Sequence, residues 1–233
     1  IAALAAVAGE QIDPVEVALV AQKAERVYAG VNCGIMDQYA SACGKKDNAI
    51  LLDCKTLARE YVPILLGDYT LIVANCNKPH NLVESKYNER RAETERALEL
   101  LQTKAEISCL ADLTPDVFER IADTLSWEGK VRDRASHVVY ECDRVRRAAS
   151  AMKRGDVQTL GELLNASHAS LRDLYEVTGI ELDTLAGAAQ AHPACAGSRM
   201  TGAGFGGCTV SVVLKSGVED FKQTVSRLYT EKI

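Results

Sequence analysis

Residues 199–214 read RMTGAGFGGCTVSVVL, with four glycines among the six positions 202–207 and an apolar, β-branched run directly after them. Gly202, Gly204 and Gly207 satisfy G-x-G-x-x-G, the spacing of a dinucleotide-binding turn. That turn works between a strand and a helix, where the pyrophosphate meets a helix N-terminus. Here the order differs, because the turn-rich AHPACAGSR comes before it and the strand-like CTVSVVL comes after. No Lys-Ser or Lys-Thr pair makes it a Walker loop either. What the residues do specify is a tight loop, Gly202-Ala203-Gly204-Phe205-Gly206-Gly207. Its glycines admit positive φ and let backbone N–H groups approach an anion or another loop.

Working upstream, helical and strand patterns alternate. Residues 1–29 read as Ala- and Val-rich helix, broken at Gly9 and resumed after Asp13-Pro14, where Asp13 suits the N-cap and Pro14 the first helical position. Residues 48–54 and 58–64 read as strands joined by a short turn. YTLIVANC, residues 69–76, is almost wholly apolar and predicts a strand buried on both faces or central in a sheet. Residues 81–104 form a polar helix with a partial stripe of Leu82, Tyr87, Ala97, Leu98 and Leu101. Another helix starts after Thr114-Pro115. A long one spans 131–155, with Val131, Ala135, Val138, Cys142, Val145, Ala149 and Met152 at helical spacing. Residues 157–179 give a further helix stopped by Gly179, and a last one begins at Val218. The turn Leu66-Gly67-Asp68 predicts a boundary between domains 1–66 and 67–233. Few strands, separated by helices, favour α+β over a doubly wound sheet.

Bulk properties narrow the function. A formal charge of −5 opposes nucleic-acid or membrane-surface binding, which need concentrated positive charge. Eight cysteines occur without a C-x-x-C pair, and the four histidines are scattered, so no metal framework is expected. Cysteines inside apolar runs, such as Cys76 and Cys208, read as small buried hydrophobes in a reducing cytosol. The opening IAALAAVAG is too short to span a bilayer and lacks the basic flank of a signal peptide. The chain opens at Ile1 in the middle of a helical pattern, which reads as a fragment.

Two more segments carry reactive groups. In GVNCGIMDQ, residues 30–38, Asp37 stands beside Ile35 and Met36. Partial desolvation there would raise its proton affinity and suit a base that accepts a hydroxyl proton; taken alone, the segment favours a helix cap over a base. Cys33 has no histidine near it in sequence to make it a nucleophile. In ESKYNERR, residues 84–91, a helix places Tyr87 on one face with Arg90 and Arg91, which allows the phenol to enter a cleft rimmed by positive charge; in isolation the segment favours a solvated helix face with a partly buried Tyr.

In order and spacing the three segments resemble the galactokinases, a branch of the GHMP sugar and small-molecule kinases. GVNCGIMDQ resembles the segment that holds the catalytic aspartate, and ANCNKPHNLVESKYNERRAETE the stretch that supplies a sugar-contacting tyrosine. RMTGAGFGGCTVSVV resembles the third motif of the wider family, a glycine-rich loop near the phosphate site. The resemblance implies that Asp37 takes or holds the C1 hydroxyl proton of galactose. It implies that Gly34 gives a backbone contact to the sugar, and that Tyr87, 50 positions after Asp37, lies against it. It assigns Gly202 to Gly207 to the phosphate site. The implied fold is the remainder of a GHMP N-terminal domain followed by a ferredoxin-like type of α+β C-terminal domain, with the active site between them.

ATP and Mg²⁺ are the implied cofactors and D-galactose the implied substrate, with no nucleic acid, membrane or obligate protein partner and a cytoplasmic location. The family's opening signature, G-R-V-N-L-I-G-E-H-x-D-Y, is absent here, as is its P-x-x-x-G-L-S-S-S-A motif, which wraps the ATP phosphates. No metal ligand is therefore expected in these residues, and the 233 residues alone are expected not to catalyse transfer. An N-acetylgalactosamine kinase and a non-catalytic sugar- and ATP-binding regulator share these motifs. A mevalonate- or homoserine-type kinase is opposed by ESKYNERR.

Overall fold

A computed structural model describes residues 1–30, 32–78 and 83–233 of the chain. It divides into two compact units, Ile1–Ile64 and Leu65–Ile233.

The first unit is a helical layer with a hairpin. Helix α1 (Ala2–Ala8) ends at Gly9, which takes φ 73°. Helix α2 (Pro14–Ala24) starts where the sequence predicts, with Asp13 accepting the Val15 N–H at 3.0 Å and Pro14 in the first turn. It runs into a π-turn, Glu25–Ala29, closed by Gly30. Helix α3 (Met36–Cys43) buries Ile35, Tyr39 and Cys43 against Ala18 of α2. Strands β1 (Asn48–Leu52) and β2 (Arg59–Pro63) pair antiparallel. The Tyr61 hydroxyl donates to the Cys43 carbonyl at 2.7 Å, which ties the hairpin to the end of α3.

The second unit holds a three-stranded antiparallel sheet of order β3-β5-β4, formed by β3 (Tyr69–Asn75), β4 (Cys195–Thr201) and β5 (Cys208–Leu214). The apolar run at β3 predicts a doubly buried strand, yet β3 lies at the edge, with Leu71 45% and Val73 64% exposed. The centre belongs to β5, where Val212 and Val213 are fully buried. Apolar content alone does not distinguish an edge strand with one dry face from a central one.

Strand β4 falls where the sequence reads as turn. Its Gly197 is the reason: a Cβ there would lie 2.1 Å from the Gly161 carbonyl oxygen. Glycine is a poor strand former, but this one lets the strand touch helix α7 (Val157–Ser170) backbone to backbone. A Cβ on Gly161 would in turn meet the Ala196 carbonyl oxygen at 2.0 Å.

Helix α4 (Val83–Gln102) packs with α5 (Pro115–Ala122) and α6 (Val131–Arg154) around Ala97, Leu101, Phe118, Ala135 and Val139. The expected start of α4 at residue 81 and its stripe residue Leu82 lie outside the described residues. On α6, Val145 is exposed while Arg134 and His137 are buried, so the apolar spacing only partly locates the inward face. Helix α7 does not continue to Gly179. It passes into a π-turn, Leu171–Tyr175, and stops at Glu176, which takes the left-handed conformation at φ 56°. Gly179, at φ 86°, instead precedes helix α8 (Ile180–Gln190). Helices α8 and α9 (Val218–Lys232) bury Leu182, Leu185, Phe221 and Val225 over the sheet. Among the described residues no helix is long and apolar enough to cross a membrane.

Candidate functional site

A cavity of about 370 Å³ opens in the second unit between α4, the segment after α7 and the glycine loop. From α4 come Tyr87, Arg90, Arg91, Thr94 and Glu95; opposite stand Leu171, Tyr175 and Val177; Gly202, Ala203 and Phe205 complete the wall. The phenol and the glycine loop, 115 or more residues apart in sequence, thus line one space.

The loop's conformation follows from its composition. Gly202, Gly204, Gly206 and Gly207 all have positive φ, and Phe205 joins them at φ 59°. The Phe205 N–H donates to the Val177 carbonyl at 2.6 Å, and the Gly207 carbonyl accepts the Cys76 N–H at 2.9 Å. A Cβ on Gly204 would lie 2.2 Å from that same Val177 oxygen. The Lys86 ammonium sits 5.5 Å from the centre of the Phe205 ring, at cation–π range. Of the six loop residues, Gly202, Ala203 and Phe205 face the cavity, and Gly204 supplies the close approach beneath it.

The expected positive rim is not realised as free charge. Arg90 donates through Nε to the Tyr175 carbonyl at 2.7 Å and pairs with Glu93 at 2.9 Å and Glu89 at 3.1 Å. Arg91 pairs with Glu95 at 2.9 Å. The α4 sequence alternates these charges at helical spacing, so each guanidinium finds a carboxylate on its own helix. The charges at the cavity are therefore largely paired, and apolar side chains share its lining.

Tyr175 has no counterpart in the sequence reading. Its ring stacks on His137 at 4.4 Å and 25°. Burial pushes its phenol pKa up, with Tyr87 nearby adding to the shift. The His137 Nδ1 is 2.9 Å from the Ser170 hydroxyl, and burial holds this imidazole down at a pKa of about 4. Only a buried contact between distant helices singles out Tyr175, and no local pattern reports it.

In the first unit Asp37 occupies the first turn of α3, where the helix dipole favours a negative charge. Its carboxylate is exposed, contrary to the expected desolvation; Ile35 is buried beside it but Met36 points out. Gly34 is also exposed, and a Cβ there would meet no heavy atom within 4 Å. The preceding turn is held from α2 and its π-turn. The Cys33 carbonyl accepts from Arg26 at 3.0 and 2.6 Å and from Gln22 at 3.3 Å, and Gln38 donates to Glu25. The motif itself does not reveal Arg26 and Gln22, whose side chains hold this turn. Among the described residues no group of three or more His, Cys, Asp or Glu forms a metal site.

Known proteins give the arrangement its context. The GHMP kinases N terminal domain model matches residues 1–45, and the GHMP kinases C terminal model matches residues 148–230. The galactokinase of Clostridium acetobutylicum is 50% identical over 222 residues, which is 95% of this chain and 57% of that protein. The crystal structure of Lactococcus lactis galactokinase complexed with galactose matches with a TM-score of 0.94 at 45% identity, covering 98% of this chain and 59% of that one. A mevalonate kinase from L. major, in complex with R-mevalonate, matches with a TM-score of 0.55 at 21% identity, a likeness of fold alone. The chain spans little more than half the length of the curated relatives it matches. It belongs to the GHMP kinases, and within them its sequence groups with the galactokinases.

Proposed function

We propose that this chain is the greater part of a galactokinase, which transfers the γ-phosphoryl group of ATP to the C1 hydroxyl of D-galactose. In that reaction the C1 oxygen forms a bond to the γ-phosphorus, the bond to the β-phosphate oxygen breaks, and galactose 1-phosphate and ADP leave. Phosphoryl transfer asks a protein mainly for positioning and charge stabilisation. Asp37 is assigned to the hydroxyl proton, as base or as the anchor that orients the attacking oxygen. Within the described residues its carboxylate is exposed, so a bound sugar is one source of the desolvation a base needs. Tyr87 is assigned to the sugar and the loop Gly202–Gly207 to the phosphates. Gly34 is assigned to a backbone contact with the hexose, since among the described residues nothing crowds that face.

Mg²⁺ accompanies ATP in such chemistry, but the described acidic residues form no cluster that fits it. We also place the protein in the cytoplasm, in keeping with free cysteines throughout the described residues.

The observation that supports this reading most is the shared cavity of Tyr87 and the glycine loop. Galactose-dependent ADP release by the full-length protein, with N-acetylgalactosamine and mevalonate as competing acceptors, tests it. Robust turnover of galactose is expected, and turnover of another acceptor in its place would overturn the assignment.

A further inference from the structure

Arg134 on α6 has the largest fully buried side chain among the described residues, at 1% exposure. Its guanidinium is used on three sides. Nε meets Glu93 of α4 at 2.7 Å, one terminal nitrogen donates to the Leu174 carbonyl at 2.5 Å, and the other meets Glu176 at 2.6 Å. Arg90 adds a fourth hold on the same stretch through the Tyr175 carbonyl, 2.7 Å away. These contacts converge on an awkward piece of backbone: a π-turn followed by a glutamate at φ 56° and ψ 50°. Both features are disfavoured and persist only where their surroundings impose them.

The next residue is Val177. Its carbonyl takes the Phe205 N–H, and Gly204 lies against it. The height of the glycine loop over the cavity is therefore set by Val177, and Val177 by the clamped residues before it. A buried ion pair adds little net stability over apolar packing of the same volume, so stability alone does not account for a buried arginine here. A planar fork that fixes two carboxylates and one carbonyl does account for it.

We propose that Arg134 is a positioning residue, which sets the glycine loop 202–207 from behind by holding residues 174–176 in place. It touches neither sugar nor nucleotide. For turnover this rests on the kinase reading above, whereas the mechanical coupling does not.

The test uses the full-length protein with Arg134→Lys, which keeps the charge and loses the fork, and Glu176→Gln, which takes the charge from one partner at the surface. Hydrogen exchange is read at the Phe205 amide, with the Val212 amide in central strand β5 as the internal reference. In both variants Phe205 should exchange at least tenfold faster while Val212 stays within twofold. kcat should fall tenfold or more, with the galactose KM changed less than threefold. Unchanged Phe205 protection overturns the proposal, as does equal loss at Phe205 and Val212, which marks general destabilisation. If Arg134→Lys does not fold, Glu176→Gln alone decides. Faster exchange at Phe205 in a protein that never turns over galactose would leave the coupling standing and remove the kinase reading.

Discussion

Gly34 and Gly204 both sit in segments that carry the family resemblance, and they are glycines for different reasons. Gly204 has φ 86°, and a Cβ there would lie 2.2 Å from a carbonyl oxygen of the same chain, so its own fold forbids anything larger. Gly34 lies outside the left-handed region and a Cβ would meet nothing within 4 Å. One segment is pinned by its neighbours, the other is open. A motif glycine can thus be required by packing or left unrequired by it, and only the second kind points to something that comes from outside the chain.

The strongest way to break this contrast is through the open segment's acid. Asp37→Asn in the full-length protein should lower kcat by about 10²- to 10⁴-fold, the range of a positioned proton acceptor. Melting should barely move, because an exposed first-turn carboxylate contributes only about 0.3–1 kcal/mol through the helix dipole. Near-normal kcat would strip Asp37 of its role. The pinned loop should respond the opposite way. Gly204→Ala adds left-handed backbone strain of about 1–2 kcal/mol and overpacking of about 1–3 kcal/mol. Thermal unfolding should detect the sum as a drop of several degrees even without ligand.

A third expectation concerns acid stability behind the pinned loop. Burial lowers the pKa of His137 from 6.5 to about 4, so the unfolded chain binds the proton more readily between these values. Stability rises with pH through that window and is lost as pH falls from 6.5 toward 4, by about 3 kcal/mol at most. Melting curves across pH 7 to 4 should show this slope, and His137→Gln should flatten it. The smallest effect is the most diagnostic. Gly34→Ala should change stability by less than about 0.5 kcal/mol, as for a surface site free of special contacts. Any defect it has should appear as a raised galactose KM. A large loss of melting temperature would mean that the open segment is packed after all.

Much of the fold was legible from local chemistry. Asp13-Pro14 and Thr114-Pro115 mark helix starts, and the Thr114 hydroxyl accepts the Val117 N–H as a cap should. Gly155 ends α6 in the left-handed conformation. Reading failed where a residue serves a distant neighbour. Gly197 sits in a strand because of Gly161, and Glu176 ends a helix without being glycine because Arg134, 42 positions earlier, holds it. The same divide runs through the candidate site. Tyr87 and the glycine loop could be named from their segments. Tyr175 could not, since its environment is a histidine ring on another helix.

The bare contact between Gly161 and Gly197 has an evolutionary consequence. Most tight contacts can drift, since one side chain can shrink as its neighbour grows. Here neither partner has an atom to give up, so the two positions are closed to compensation while the residues around them remain free to change. Descendants of this chain can remodel the cavity's lining, but only around a crossing of α7 and β4 that stays fixed.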